Sequence, residues 1–334
     1  MSAVLNAPWI ARQTTDLLAQ RGHAWLLQGP SGLGQYELAL ALASAWLCEK
    51  PGEHGACGDC PSCHAIAVRT HADLAVLMPE TQMIELGWPL SEKAQAEIDD
   101  KKRKPSKEIR VEAMRDAVEF SQRTDARGRG KAVLVFPAER MNTITANALL
   151  KTLEEPPGDV RFVLATEASH MLLPTIRSRC LAHTMKWPEP DEALPWLLTQ
   201  GVPDAVAQAL LRSAGGRPTD VLRQAESGLS PDWWAALPKA MHQGDVRHLS
   251  ELSPAQAIDA LQKLCHDLVL RQTRSAPRFF ELAQLPASRA SVLTLTDWFK
   301  RLMQSARTAE HPFNGGLMLE ALTADAQQTL RAQG

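Results

Sequence analysis

Two kinds of hydrophobic pattern divide the chain. From residue 1 to about 187, short apolar runs alternate with stretches of helical spacing. The apolar runs are His23–Gln28, Asp73–Met78, Lys131–Phe136, Val160–Thr166 and Leu181–Met185. Between them lie Tyr36–Cys48, Val111–Phe120 and Ile144–Leu153; in the last, Ile144, Ala148, Leu149, Thr152 and Leu153 share one face. Short strands separated by helices predict an α/β domain with a five-stranded parallel sheet and crossover helices. Residues Ser91 to Lys107 interrupt the alternation: they are charged, poor in large apolar side chains and contain Pro105. They read as a solvated insertion, with Lys101-Lys102-Arg103-Lys104 as a secondary candidate for phosphate contact.

The alternation stops at Trp187-Pro188-Glu189-Pro190, a linker signal. A short helical stretch follows, with Ala193, Leu194, Trp196, Leu197 and Leu198, then Val206, Leu210 and Leu211. It breaks at Gly215-Gly216-Arg217-Pro218 and resumes through Leu222. From about Gly228 the chain is rich in Leu and Ala and helix-like to its end. Three parts are therefore expected: an α/β domain over 1–187, a small helical domain over 188–227 and a larger all-α domain over 228–334.

Composition narrows the chemistry. A net charge of −2 over 334 residues rules out a chain that is basic overall, so any DNA contact is local or made through a partner. No apolar run approaches the roughly 18–20 residues needed to span a bilayer. The N-terminus lacks the form of a signal peptide, and a cytoplasmic protein is expected. In that compartment the six cysteines read as metal ligands or buried thiols rather than disulfides. Cys48, Cys57, Cys60 and Cys63 fall within sixteen residues, among the turn formers Gly55, Gly58, Asp59 and Pro61. Four thiolates so close suit a structural tetrahedral Zn²⁺, with no open position for chemistry. An iron–sulfur cluster is the alternative, and His54 and His64 are weaker candidate ligands. Cys180 and Cys265 stand apart as buried, non-ligand thiols.

Candidate nucleotide chemistry lies in Gly29-Pro30-Ser31-Gly32-Leu33-Gly34-Gln35-Tyr36, between the first apolar run and a helix. The spacing of Gly29 and Gly34 fits the phosphate-binding template G-x-x-x-x-G-K-[ST]. Gln35 stands where that template needs the lysine charge, and Tyr36 where it needs a small hydroxyl for Mg²⁺. The run Lys131–Phe136 ends in Phe136-Pro137 where such proteins carry the acidic pair that holds Mg²⁺. Glu139 lies beyond the strand end and reads as a surface or interface residue. On its own the loop reads equally as a glycine turn joining a strand to a helix or as a nucleotide-binding fold that has lost its nucleotide chemistry.

Three further strings make the chain recognisable: Asn147-Ala148-Leu149-Leu150-Lys151-Thr152-Leu153-Glu154-Glu155-Pro156-Pro157, Phe162-Val163-Leu164-Ala165-Thr166 and Thr175-Ile176-Arg177-Ser178-Arg179-Cys180. Together they resemble the AAA+ subunits of the bacterial clamp loader. With the four-cysteine module and the lost P-loop, the resemblance is to the delta-prime family of DNA polymerase III. It covers the first ~185 residues strongly and the rest weakly, through architecture and His311-Pro312-Phe313-Asn314.

The resemblance implies a RecA-like AAA+ domain carrying the zinc module, a three-helix lid and a helical collar used for oligomerisation. It implies a subunit with no ATP of its own and no intrinsic activity, within a DNA-directed DNA polymerase holoenzyme (a nucleotidyltransferase complex). Its implied partners are the gamma/tau motor subunits, the delta subunit, the sliding clamp and primed DNA. Ser178 and Arg179 would form the arginine finger that reaches ATP on a neighbour, with Arg177 in support. Thr166 would be a vestigial γ-phosphate sensor, and Pro218 falls where motor subunits carry a second sensing arginine, beside Arg217. The competing readings are an active AAA+ ATPase, such as a helicase loader with an atypical P-loop, and a zinc-ribbon protein touching nucleic acid directly. Replacements at Gln35, Tyr36, Phe136 and Pro137 speak against the first. The near-neutral net charge, with Lys50 the one Lys or Arg between Cys48 and Cys63, speaks against the second.

Overall fold

The computed structural model describes residues 7–226, 229–287, 290–309 and 314–332. His311, Pro312 and Phe313 lie outside the described residues. Two compact units emerge, Met1–Glu192 and Ala193–Gly334.

In the first unit the strands are β1 (Ala24–Gln28), β2 (Leu74–Leu77), β3 (Lys131–Val135), β4 (Val160–Thr166) and β5 (Leu181–Thr184). They form a five-stranded sheet in the order β2-β3-β4-β1-β5, and every pairing is parallel. Parallel neighbours need crossovers, and helices supply them. After α1 (Pro8–Leu18), which precedes β1, these are α2 (Gln35–Leu47), α3 (Pro61–Ala67), α4 (Glu80–Glu85), α5 (Glu92–Asp99), α6 (Val111–Gln122), α7 (Thr143–Glu154) and α8 (Pro174–Arg177). Strand side chains alternate between faces. Ala24, Leu26, Val133, Val135, Phe162 and Leu164 therefore pack with Met114 and Ala117 of α6 and Leu149 and Leu153 of α7. On the opposite face Trp25 meets Trp46 of α2 at 4.9 Å between ring centroids. The central strands β3 and β4 are almost wholly buried, whereas the edge strand β5 is largely exposed.

The strand boundaries follow the sequence reading to within a residue or two at each end. The 91–107 stretch is largely exposed, as read, and departs from the reading at Arg103. Ser91 caps the N-terminus of α5 through the Ala94 N–H. Arg103, read as part of a solvated basic run, is instead bound to the buried Glu80 (Nη2–Oε1 2.8 Å) and to Glu97 (Nε–Oε2 2.6 Å). Arg110 adds a second cation to Glu80 at 3.1 Å. Burial opposes ionisation of Glu80, but the two arginines and the Ser106 N–H outweigh it and keep the carboxyl below its usual range. This charge cluster ties the insertion to the start of α4.

The second unit is helical among its described residues. Its helices are α9 (Pro190–Thr199, which begins in the first unit), α10 (Asp204–Ser213), α11 (Pro218–Glu226), α12 (Pro231–Gln243), α13 (Pro254–Gln272), α14 (Val292–Ala306) and α15 (Gly315–Arg331). Ser253 and Gln256 form a capping box at the start of α13, with Pro254 in the first turn. The core gathers Trp234, Leu237, Met241, Leu261, Leu264, Leu268, Phe280, Trp298 and Leu322. One acidic side chain organises the irregular segment after α13. Asp267, 0% exposed, accepts hydrogen bonds from the backbone N–H groups of Arg278 (3.0 Å), Phe279 (2.7 Å) and Phe280 (2.8 Å). Arg278 in turn donates to the carbonyl of Gly215 at 2.9 Å. Gly215 has φ of +67°, and a Cβ there would come within 2.6 Å of the Phe279 ring, so only glycine fits. The 215–218 break read from the sequence is thus a packing joint.

Candidate functional site

The glycine loop leaves β1 and enters α2 through Gly34, whose φ of 91° lies in the left-handed region that favours glycine. The Gln35 side chain, 2% exposed, turns back into the loop. Its Nε2 donates to the carbonyls of Gly29 and Pro30, both at 2.7 Å. A lysine ammonium could also bond two carbonyls, but it would carry charge to a phosphate; the Gln35 amide spends both donors on the loop itself. Trp9 of α1 closes the loop from another side, its indole N–H donating to the Leu33 carbonyl at 3.1 Å.

Tyr36 occupies the place of the metal-binding hydroxyl and is buried. Its ring lies 5.6 Å from that of Phe136, the residue in the place of the acidic pair. Its hydroxyl accepts a 2.7 Å hydrogen bond from the Trp88 indole. Burial pushes the phenol pKa above its ordinary value, so Tyr36 is a neutral group here. Two aromatic rings therefore stand where a Mg²⁺ site needs a hydroxyl and carboxylates. Trp88 and Trp9 were not legible as parts of this centre, because each reaches it across the fold rather than along the chain.

Thr166 and Glu139 are joined to each other. The fully buried Thr166 donates its hydroxyl to Glu139 at 2.6 Å, and Glu139 also accepts the Glu167 N–H at 3.2 Å. Glu139, expected at a surface or interface, is half-buried and spends its oxygens inside the unit. Arg217 is likewise engaged locally, with the Ala214 carbonyl at 2.8 Å and Asp220 at 2.9 Å.

Arg179 lies between α8 and β5, and its bonds run to α7 and α8 rather than to the glycine loop. Nε and Nη2 donate to one oxygen of Glu154 at 3.2 and 2.9 Å, and Nη1 donates to the Thr175 carbonyl at 3.0 Å. Ser178 donates to the same Thr175 carbonyl at 3.2 Å and is exposed, as is Arg177. Cys180 is half-buried, and burial pushes its thiol up to about 12, which makes it a poor nucleophile.

The four cysteines converge. Cys48 ends α2 and Cys60 caps α3, so the loop between these helices folds over one point. Sulfur–sulfur separations are 3.5 Å for Cys48–Cys57, 3.8 Å for Cys48–Cys60, 3.7 Å for Cys48–Cys63, 4.0 Å for Cys57–Cys63 and 3.5 Å for Cys60–Cys63. A disulfide needs about 2.05 Å. A tetrahedral ion with metal–sulfur bonds of about 2.3 Å needs edges of about 3.8 Å, which these are. The N–H groups of Cys57 and Cys63 point at the sulfurs of Cys48 and Cys60, at 3.3 and 3.4 Å, and stabilise thiolate charge. The donor set therefore fits a metal ion such as zinc. His54 and His64 are not in the cluster, and neither are Cys180 and Cys265. Glu49 ties the module to the segment before β3, accepting from Ser62 Oγ at 2.9 Å and Arg127 at 2.9 Å. Ser62 and Arg127 hold the Glu49 carboxyl below its usual range.

Residues 14–189 match the family model described as DNA polymerase III, delta subunit. A DNA polymerase III subunit delta' of Pseudomonas aeruginosa is 40% identical over 208 residues, 61% of this chain and 56% of that protein. The match thus spans little more than half the length of that relative. The subunit delta' of Escherichia coli is 32% identical over 278 residues, 77% of this chain and 76% of that protein. Among solved structures, a gamma subunit-related protein of Thermotoga maritima aligns over 97% of this chain and 100% of its own, at 17% identity and a TM-score of 0.48. Among the described residues, no helix is long and apolar enough to cross a membrane. With the family model matched over more than half of its length, the chain belongs to the DNA polymerase III delta-prime subunit family.

Proposed function

We propose that this chain is a non-hydrolysing clamp-loader subunit of the bacterial DNA polymerase III holoenzyme. It has no activity of its own and helps load the sliding clamp onto primed DNA. Its partners are the gamma/tau motor subunits and the delta subunit, in the cytoplasm, and DNA is met mainly through the complex. Residues 1–187 form the AAA+ domain, 188–227 the lid and 228–334 the collar. Arg179, supported by Ser178, serves as an arginine finger for ATP bound by a neighbouring motor subunit. The observation that carries this reading is the closure of the chain's own site. Gln35 bonds the loop to itself, and Tyr36 packs on Phe136 where the metal chemistry belongs.

The test is a titration of Mg-ATP into the isolated chain. Without the lysine charge or metal ligands, no saturation is expected below about millimolar nucleotide. Restoring the charge alone, as Gln35→Lys, is expected to leave affinity weak, because Tyr36 and Phe136 still fill the metal position. Low-micromolar affinity, or turnover that survives rigorous purification, would contradict the proposal.

The metal of the cysteine module is zinc, held by Cys48, Cys57, Cys60 and Cys63. Structural zinc in such sites carries on the order of 10–16 kcal/mol of apparent binding free energy. The sheet core does not depend on it, so chelation is expected to raise hydrogen exchange across 48–67 and leave β3 and β4 protected. Elemental analysis is expected to give about one zinc per chain. Iron, or no stoichiometric metal in protein purified without chelator, would refute this.

A further inference from the structure

We propose that Glu154 is the positioning residue of Arg179, holding its guanidinium in the orientation that presents two N–H groups to a phosphate across an interface. This rests on the reading of Arg179 as a finger. A guanidinium has five N–H donors in one plane. Three of those on Arg179 are committed within the chain: Nε–H and one Nη2–H to Glu154 Oε2, and one Nη1–H to the Thr175 carbonyl. One N–H on each terminal nitrogen remains. Two terminal donors of this kind can bond two oxygens of a phosphate.

Both restraints come from well-anchored elements. Glu154 is the last residue of α7, one position beyond the fully buried Leu153, and Thr175 is in α8, beside the fully buried Ile176. The guanidinium is held without being covered: the Arg179 side chain is 30% exposed and that of Glu154 60%. An ion pair this open contributes little to stability. Its physical effect is to remove rotamer freedom from a long side chain before an anion arrives. Preorganised donors accelerate phosphoryl transfer because they need no rearrangement as charge develops. Glu154 touches neither the phosphate nor the water; it acts through Arg179.

The test uses the reconstituted complex, with the P-loop lysines of the other motor sites substituted so that only the site bordered by Arg179 turns over. Glu154→Ala is expected to assemble normally and keep its melting temperature. Its kcat at that site is expected to fall, by up to about a hundredfold, with KM for ATP little changed, as when a catalytic group is displaced rather than lost. Glu154→Gln keeps an acceptor oxygen and is expected to recover part of the rate. In an Arg179→Ala background, Glu154→Ala is expected to add nothing. If Arg179→Ala slows the site and Glu154→Ala does not, the positioning role is wrong and the finger stands. If Arg179→Ala has no effect, the finger reading itself fails. A faster Glu154→Ala complex would make Glu154 a restraint that withholds the arginine, which also overturns the proposal. So would loss of assembly in both Glu154 variants, since that places the residue in the interface.

Discussion

Arg179→Ala is expected to co-elute with the motor and delta subunits, keep its zinc, and lose ATP turnover at the one site it borders. The side chain is partly exposed, and its partners Glu154 and Thr175 are themselves held by α7 and α8, so shortening it leaves the fold in place. An arginine finger contributes roughly 10³–10⁵ in rate by stabilising charge on the transferring phosphoryl group. The bordered site is therefore expected to fall to its basal rate, with total ATPase reduced by that site's share. Clamp loading onto primed DNA is expected to fall further than total ATPase. Arg179→Lys is expected to rescue poorly, since an ammonium lacks the planar fork. Equal ATPase and clamp loading in wild-type and Arg179→Ala complexes would end this account of the residue.

The second large effect is on stability. Asp267→Ala removes the acceptor of three backbone N–H groups in the core of the helical unit. The buried Phe280 donor left unsatisfied costs about 1–3 kcal/mol and the more exposed Arg278 and Phe279 donors add less, so a loss of about 3 kcal/mol is expected for the set. That is a large fraction of the roughly 5–15 kcal/mol that keeps a domain folded. Phe279 and Phe280 would lose their anchor, and with them the contacts of Phe280 to Trp234 and of Phe279 to Gly215. Asp267→Asn keeps one acceptor oxygen and is expected to cost about half as much. Denaturant unfolding followed by tryptophan fluorescence reads the change, with Trp234 and Trp298 in this core as reporters. An Asp267→Ala midpoint equal to wild type would show that the segment is held by its apolar contacts alone.

The strands were legible because each is a short apolar run bounded by turn formers, a pattern that needs no tertiary information. The four cysteines were legible for a similar reason: their ligands are close in sequence, and the structure brings all four within 4.8 Å of one another. Gln35 and Tyr36 could be seen as losses against a template, but not as what they became. That Gln35 closes the loop and Tyr36 joins Trp88 depends on contacts six and 52 residues apart. Helix α1 was missed although Pro8 opens it, because the buried Gln13 and Thr14 interrupt the apolar stripe of Trp9, Ile10 and Leu17. Within the insertion it was Arg103 that misled through its charge. Composition distinguishes a solvated run from one whose central arginine is bound to a buried glutamate only when the partner is known, and Glu80 lies 23 residues from Arg103. The Glu154–Arg179 pair spans 25 residues and was invisible for the same reason.

As proposed, this chain's own nucleotide site is closed while its arginine acts on a neighbour's. The most direct measurement is a structure of the assembled complex with Mg-ADP and a γ-phosphate mimic. The account predicts that the Arg179 guanidinium lies about 3 Å from the mimic's oxygens on the adjoining motor subunit, the distance of a charge-assisted hydrogen bond. It also predicts no nucleotide at Gly29–Tyr36, with Gln35 still bonded to the Gly29 and Pro30 carbonyls. Nucleotide seated in that loop, or Arg179 facing solvent away from every γ-phosphate mimic, would contradict it.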